Sequence, residues 1–475
     1  MKRASRFLLI LLCCLLLQPK GFYIHAAEAA SPQVLLLYDS LGIGTSKEGN
    51  VAVLQRELAA FGVKVTWQSI DEYQKGSMTG DSYVVTVINR PDLIIHNKAY
   101  LEDWDSYQGH YLHIGANLPV KVGMDLQVQT ERVSSGSMEI HIGGFAAPPI
   151  RVQDMPYIAD KGTQAQGYGS IHFTGITDPV PYAVRNGRYA YVPYLEKGNI
   201  SELAAAYVLK DWLALTVIPQ TYLIFKEIYP FSDLELLEEM ADRLYRSGIP
   251  FIVSIRPVFN NTDFPAMKRY LEALKVVQSR NGSILIHAPA VMPSVNSEED
   301  HSLKEKMDSF ISLLVRNGIA PLGMGAEMYW SYDKEYANAG LGFFDSTVLF
   351  PDEKIMHKVP TNTSAAFASS LYSLPLPFLK ELSSTQRGMP SFPLSTAITL
   401  DFPEGKESLN AILQQIESYW ITFADYKQGY HRVTAGTNTI SSSHGVITVN
   451  GAELNTQYTP QEVNNNYQYT EKPKK

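Results

Sequence analysis

Residues 222–256 read YLIFKEIYPFSDLELLEEMADRLYRSGIPFIVSIR, and within them the chain passes from strand to helix to strand. The apolar run YLIF ends in Lys226 and Glu227 before a turn. The SDLE at 232–235 has the spacing of a capping box, and Leu234, Leu237, Met240, Ala241 and Leu244 then fall on one helical face until Gly248. IPFIVSIRP follows as a second strand. The pattern recurs: a helix over 264–280 broken at Asn281-Gly282, the strand SILIH, a helix over 303–315 broken at Asn317-Gly318, and the strand-like APLGMGAEM. A strand, helix and turn repeating about every 35 residues is the βα unit of a parallel barrel or doubly wound sheet.

In a parallel barrel the functional groups gather where strands end, because the βα loops build that face. Reading the strand ends gives Lys226 and Glu227, then Arg256 with Asn260, then His287, then Glu327; the later strand STAITLDFP adds Asp401. Polar residues are expected at strand ends in any case, since that is where water begins. Convergence on one rim would distinguish a site from that default.

Upstream, VLLLYDS from Val34, the loop LGIGTSKEGN, the helical VAVLQRELAAFG and the strand VKVTWQS open a small α/β domain over 31–119, flavodoxin-like in rhythm. DLIIH and HYLHIG are expected as further strands. Gly42 and Gly44 do not make a phosphate loop, because the Gly-Lys-Ser/Thr ending and the Rossmann spacing are both absent. His110 and His113, expected on one face of HYLHIG, are too few for a metal site and read as structural. Residues 120–200 alternate in short runs (DLQVQTERV, MEIHIGG, GSIHFTG, RYAYVPY) between Gly, Pro and Asn clusters, the mark of β-hairpins in an inserted sub-domain. The helix NISELAAAYVLKDWLAL leads into the barrel, expected over 201–430. Residues 431–475 are expected as a short β segment, with Asn450-Gly451 as a turn, followed by a polar tail.

The first 29 residues read as a signal peptide. Lys2, Arg3 and Arg6 precede FLLILLCCLLL, too short to span a bilayer, and Ala27-Glu28-Ala29 supplies the small-x-small pattern for cleavage. An uncleaved anchor is the alternative. Both cysteines, Cys13 and Cys14, lie in this leader, so the mature chain would carry no disulfide and depend on its core alone. The expected location is secreted or cell-surface. The whole chain has a formal charge of −8, and the leader takes away four cations and one anion, so the remainder is more acidic still. Such a surface argues against nucleic acid and anionic lipid as partners. No later stretch approaches a membrane span. With 28 Tyr, 19 Phe and 5 Trp the chain has material for stacking on sugar rings as well as for a core.

The combination of AAYVLKDWLAL, the stretch quoted above with its continuation PVF, and YLEALKVVQSRNGSILIHAPA resembles a secreted branch of the polysaccharide deacetylase superfamily, over about half the chain, from near Glu202 to near Tyr426. The resemblance implies a distorted (β/α) barrel, a divalent metal held by carboxylate and histidine, and deacetylation of a polysaccharide. Members end their first strand in two aspartates, a general base and a metal ligand; here those places hold Lys226 and Glu227. They carry His-x-x-x-His after the third strand; here it is His287-Ala-Pro-Ala-Val291. The metal motif is thus degraded. Glu227 and His287 remain as ligands for a zinc-like ion, and a third ligand would have to come from Glu327 or Asp401.

Three functions follow. The chain could be a metal-poor barrel that binds a cell-surface or exopolysaccharide as an accessory of the synthesis machinery. It could be a working deacetylase with a rearranged metal shell. Or it could be a metal-free glycoside hydrolase with Glu227 and Glu327 as its two carboxylates. The candidate catalytic residues are Lys226, Glu327 and Asp401, the metal ligands Glu227 and His287, and the substrate-binding residues Arg256, Asn260, Tyr329 and Trp330.

Overall fold

Seven strands, Thr221–Ile228, Phe251–Ile255, Gly282–His287, Pro321–Ala326, Ser346–Leu349, Ser369–Pro375 and Thr396–Asp401, pair in that order and close on themselves, every neighbour parallel. This is a computed structural model, and it describes residues 32–78, 83–216, 218–289, 298–327, 340–351, 361–364, 367–384, 389–419 and 421–458. The leader with Cys13 and Cys14, Val291, Tyr329, Trp330 and the polar tail lie outside the described residues.

The strands close because both faces are apolar. The inward residues meet in the middle and the outward ones are covered by helices Leu234–Arg246, Pro265–Ser279 and Glu298–Arg316. Leu237, Met240, Ala241 and Leu244 are buried along the inner stripe of the first of these, as its spacing predicts, while Leu234 is only half-buried and Leu236 completes the stripe in its place. Its cap is set one residue later than expected: the Asp233 carboxylate accepts from Leu236 N at 3.0 Å, while Ser232 Oγ accepts from Tyr229 N and ties the preceding turn.

Before the barrel stands an eight-stranded sheet whose parallel centre runs Lys64–Ser69, Gln33–Tyr38, Tyr83–Ile88, His110–Gly115, Tyr189–Val192. This is the 2-1-3-4-5 order of a flavodoxin-like sheet. DLIIH is not a strand: Asp92–His96 is irregular and largely exposed, and the third strand is YVVTVI at 83–88. His110 and His113, being three apart, occupy opposite faces. His113 is buried with Nε2 2.6 Å from the Ala116 carbonyl, and His110 stacks on Tyr83. The run RYAYVPY pairs antiparallel with Ala183–Asn186, as a hairpin should, but its other edge joins His110–Gly115 in parallel and so completes the first sheet. The inserted hairpin proper is Val128–Ile142 with Ile150–Lys161.

The first sheet and the barrel share a core within the single compact unit Gln33–Lys475. Helix Asn50–Ala60 lies between them almost wholly buried, its Arg56 Nη2 donating to Tyr372 OH at 2.5 Å, and that hydroxyl donating to Glu202 at 2.8 Å. The barrel returns a strand to the sheet as well: Thr361–Thr363 pairs antiparallel with the edge strand Lys64–Ser69.

At the N-terminal end of the barrel a four-stranded antiparallel sheet, Ala452–Glu453 its last strand, begins with His431–Ala435. His431 holds Ser346 Oγ at 2.7 Å and the Tyr426 carbonyl at 2.8 Å, and its ring stacks on Tyr426 at 3.8 Å. That end is sealed, and the opposite rim carries the polar groups.

Candidate functional site

The first barrel strand does not run smoothly to its end. Its register against the second strand slips between Phe225 and Ile228, and Glu227 takes φ 63°. A bulge with a non-glycine residue in the left-handed region costs on the order of 1 kcal/mol and re-aims a side chain, a feature that clusters at functional sites. Glu227 is aimed at Arg256, whose Nη2 donates to Oε1 at 2.7 Å, and the Tyr229 hydroxyl donates to Oε2. Lys226, its neighbour, reaches the other way around the closure: Nζ stands 3.0 Å from Oδ1 of Asp401, its register partner on the last strand.

Arg256 follows the second strand and is half-buried. Besides Glu227 it donates from Nη1 to the Ala288 carbonyl at 3.2 Å. His287 ends the third strand and is buried, with Nδ1 at 3.5 Å from Ser254 Oγ and Nε2 at 3.7 Å from Glu327 Oε1, too long for a hydrogen bond. One face of its ring is covered by Phe350, the residue after the fifth strand, at 5.0 Å and 20°. Gly325 makes this stack possible, since a Cβ there would overlap the Phe350 ring.

The electrostatics bind these groups into one cluster. Burial pulls the His287 imidazole below its ordinary value, with Glu327 opposing, so the ring is held neutral. Partial burial pushes the Glu227 carboxyl up, but hydrogen bonds from Arg256 and Tyr229 outweigh it and the net direction is down. Glu327 is likewise held low, first by His287 beside it and then, against partial burial, by Arg256 and Lys226. Both glutamates are therefore ionised at neutral pH.

The structure thus brings together Lys226, Glu227, Arg256, His287, Glu327 and Asp401 on one rim. It leaves Asn260 exposed in the loop beyond Arg256 and outside the cluster, and the proposed Tyr329 and Trp330 fall outside the described residues. Asp401 is 72% exposed at its side chain and pairs with Lys226. Four residues escaped sequence reasoning. Ser254 and Phe350 sit in apolar runs that look like plain core. Tyr229 and Phe231 follow the first strand, their rings stacked at 4.7 Å and 17°, with Phe231 83% exposed. An aromatic pair two apart directly after a barrel strand was the available signal.

For a divalent metal the donor set is poorly disposed. Both oxygens of Glu227 are engaged, a guanidinium stands among the ligands, and among the described residues no three His, Cys, Asp or Glu side chains surround a common position. Zinc asks for three deprotonated donors around an open position.

No family model matches the chain, and no curated protein matches it. Solved structures similar to it include two carbohydrate deacetylases. One is Agd3, described as a novel carbohydrate deacetylase, at 7% identity and TM-score 0.34, covering 89% of this chain and 92% of that one. The other is the Bc1960 peptidoglycan N-acetylglucosamine deacetylase in complex with a hydroxamate-type benzamide, at 13% identity and TM-score 0.24, covering 43% of this chain and 85% of that one. The chain itself is a mixed α/β protein with a closed seven-stranded parallel barrel.

Proposed function

We propose that the chain is an extracellular, deacetylase-like barrel protein whose rim binds a polysaccharide strand, in the role of an accessory to exopolysaccharide assembly or export. The observation that carries this reading is the Tyr229–Phe231 stack. A ring that is 83% exposed, held flat by a second aromatic whose hydroxyl is tied into the Glu227–Arg256 pair, offers an apolar plane to the C–H face of a sugar with ionic hydrogen-bonding groups at its edge. The acidic composition is compatible with a neutral or cationic polymer and unsuited to a nucleic acid.

The glycoside hydrolase reading lacks its proton donor. That chemistry needs one carboxyl held protonated, with a raised pKa, opposite an ionised one. Here Glu227 and Glu327 are both shifted down. The deacetylase reading needs an ion that the engaged donors do not accommodate, so binding rather than turnover is the better account of the rim.

The test is a pull-down and titration calorimetry of the purified chain with partially acetylated glucosamine polymers and with neutral glucans, alongside an acetate-release assay. Saturable binding to at least one polymer, weakened in Phe231→Ala, is expected. Binding that is absent, or unchanged in that variant, would remove the proposal; acetate released in proportion to enzyme would replace it with turnover.

A further inference from the structure

We infer that the cleft between the carboxyl edge of the first sheet and the inserted hairpin is a second binding site, for a ring-sized, hydroxylated organic anion such as a sugar phosphate or a uronic acid. The cleft holds a cavity of about 500 Å³, within the roughly 300–1,000 Å³ of small-molecule sites. None of its lining comes from the barrel rim, so this site and the polysaccharide reading above can fail separately.

The topology puts the cleft there. Strands Gln33–Tyr38 and Tyr83–Ile88 are neighbours, but the first leads on to Lys64–Ser69 on one side and the second to His110–Gly115 on the other. Loops that diverge in this way open a crevice at the carboxyl ends of the two strands. The crevice is braced in the free chain. The buried Asp39 carboxylate, just past the first of these strands, accepts from Asn89 N at 2.8 Å and Arg90 N at 2.9 Å, just past the second. Asn89 Nδ2 donates back to the Ser40 carbonyl at 2.7 Å, and Asn50 Nδ2 donates to the Leu195 carbonyl at 2.8 Å. The hairpin Val128–Ile142 with Ile150–Lys161 supplies the facing wall, from register partners Ser135 and Gln153 and from Arg151.

The charges of the lining select the ligand. Four ionisable side chains meet the cavity, Lys47 and Glu196 from the sheet side, Arg151 and Asp154 from the hairpin. Asp154 is taken by Arg132 at 2.8 Å. Lys47 Nζ stands 4.4 Å over the Tyr194 ring and 3.7 Å from Glu196, which balances its charge but is too far for a hydrogen bond, so its donors remain unused among the described residues. The Arg151 side chain has no hydrogen bond, ion pair or ring contact among the described residues. The unbalanced charge is therefore positive, and unused donors reach the cavity from both walls. A guanidinium takes a carboxylate or a phosphate through paired N–H groups. The rest of the lining suits the body that carries the anion: Ile88 and Ile114 are buried and apolar, and the Ser46 and Ser135 hydroxyls and the Asn89 amide are partners for ring hydroxyls. The net acidity of the chain disfavours a long polyanion, whereas a single ring needs only this local charge.

The test is calorimetric titration of the purified full chain with glucose 6-phosphate, glucuronate, inorganic phosphate and glucose. It is repeated on Arg151→Ala, Arg151→Lys and Ser135→Trp, with Phe231→Ala as a control at the rim. All three positions are exposed, and circular dichroism checks each fold. The expected result is one equivalent of at least one of the two sugar anions bound by the native chain, with glucose 6-phosphate alone marking a phosphate site and glucuronate alone a carboxylate site. Its affinity is expected to fall at least about tenfold in Arg151→Ala, to recover in part in Arg151→Lys, to be lost in Ser135→Trp, where an indole fills the cleft, and to be unchanged in Phe231→Ala. No binding of either sugar anion at millimolar concentration would overturn the inference. So would binding left unchanged in a folded Arg151→Ala or Ser135→Trp, or lost in Phe231→Ala. Glucose bound as tightly as the sugar anions would remove the anion from the proposal, and inorganic phosphate bound as tightly would remove the ring; either result overturns it.

Discussion

Lys226 Nζ lies 3.0 Å from Asp401 Oδ1, and the two residues are register partners on the first and last strands, at the seam where the barrel closes. A base and an acid that the sequence marks as candidate catalytic groups face each other across that seam.

The pair is close to water, and ion pairs of that kind contribute about 0–1 kcal/mol. Asp401→Asn is expected to change the urea unfolding free energy by no more than about 1 kcal/mol and to leave polysaccharide binding within about twofold. A loss near 3 kcal/mol, or collapse of binding, would show that the seam needs this contact.

Phe231 is expected to act on affinity and not on stability. Its ring is exposed, so Phe231→Ala removes little buried surface in the free chain, while a ring covered by a sugar contributes about 2 kcal/mol, or roughly 30-fold in dissociation constant. Calorimetry with the best-binding polymer, and unfolding curves of both proteins, check the two halves separately.

Glu57 is 1% exposed, both of its side-chain oxygens lack a hydrogen-bond partner, and burial and then the nearby Glu202 push its carboxyl well above the ordinary range. The folded chain therefore keeps a proton that the unfolded chain sheds above about pH 4.3. The sign follows: stability falls as pH rises from there towards the folded-state value. Glu57→Gln is expected to stabilise at pH 7 by on the order of 1–3 kcal/mol, with the gain vanishing near pH 4. A variant less stable than the parent at pH 7 would contradict this.

His113 and His431 give the opposite slope. Burial lowers each to about 4. The unfolded chain binds protons below about pH 6.5 that the folded chain refuses, so stability is full above that value and is lost as pH falls towards 4. Each contributes a loss of roughly 2–3 kcal/mol between pH 7 and pH 4.5. His431→Gln is expected to unfold less steeply with acid than the parent, measured as the change in urea midpoint between those two pH values.

The barrel could be read from the sequence because its signals are local. Apolar runs, the helical stripe from Leu234 to Leu244 and breakers at Gly248 and Gly318 each act within a few residues, and the strand ends then named six of the rim's residues in chain order. The first sheet was harder to read. YVVTVI is a stronger strand than DLIIH by β-branching, but the two stand close together and only pairing decides between them. Tyr189–Val192 belongs to both a hairpin and a parallel sheet, a choice made by His110–Gly115 at long range. At the rim, residue types were visible and partners were not. Whether Glu227 faces a metal or Arg256 depends on a one-residue bulge, which leaves no mark in composition or period.

The strand Thr361–Thr363 that caps the first sheet has a consequence for how the chain is made. Val65 and Ser364, which bond across that edge, are separated by 299 residues. A nascent chain emerging from its N-terminus therefore presents Lys64–Ser69 as an open sheet edge through most of its synthesis, a template for unwanted pairing until the late segment arrives. Delivery in an unfolded state, with folding begun only once the whole chain is available, would spare it that interval.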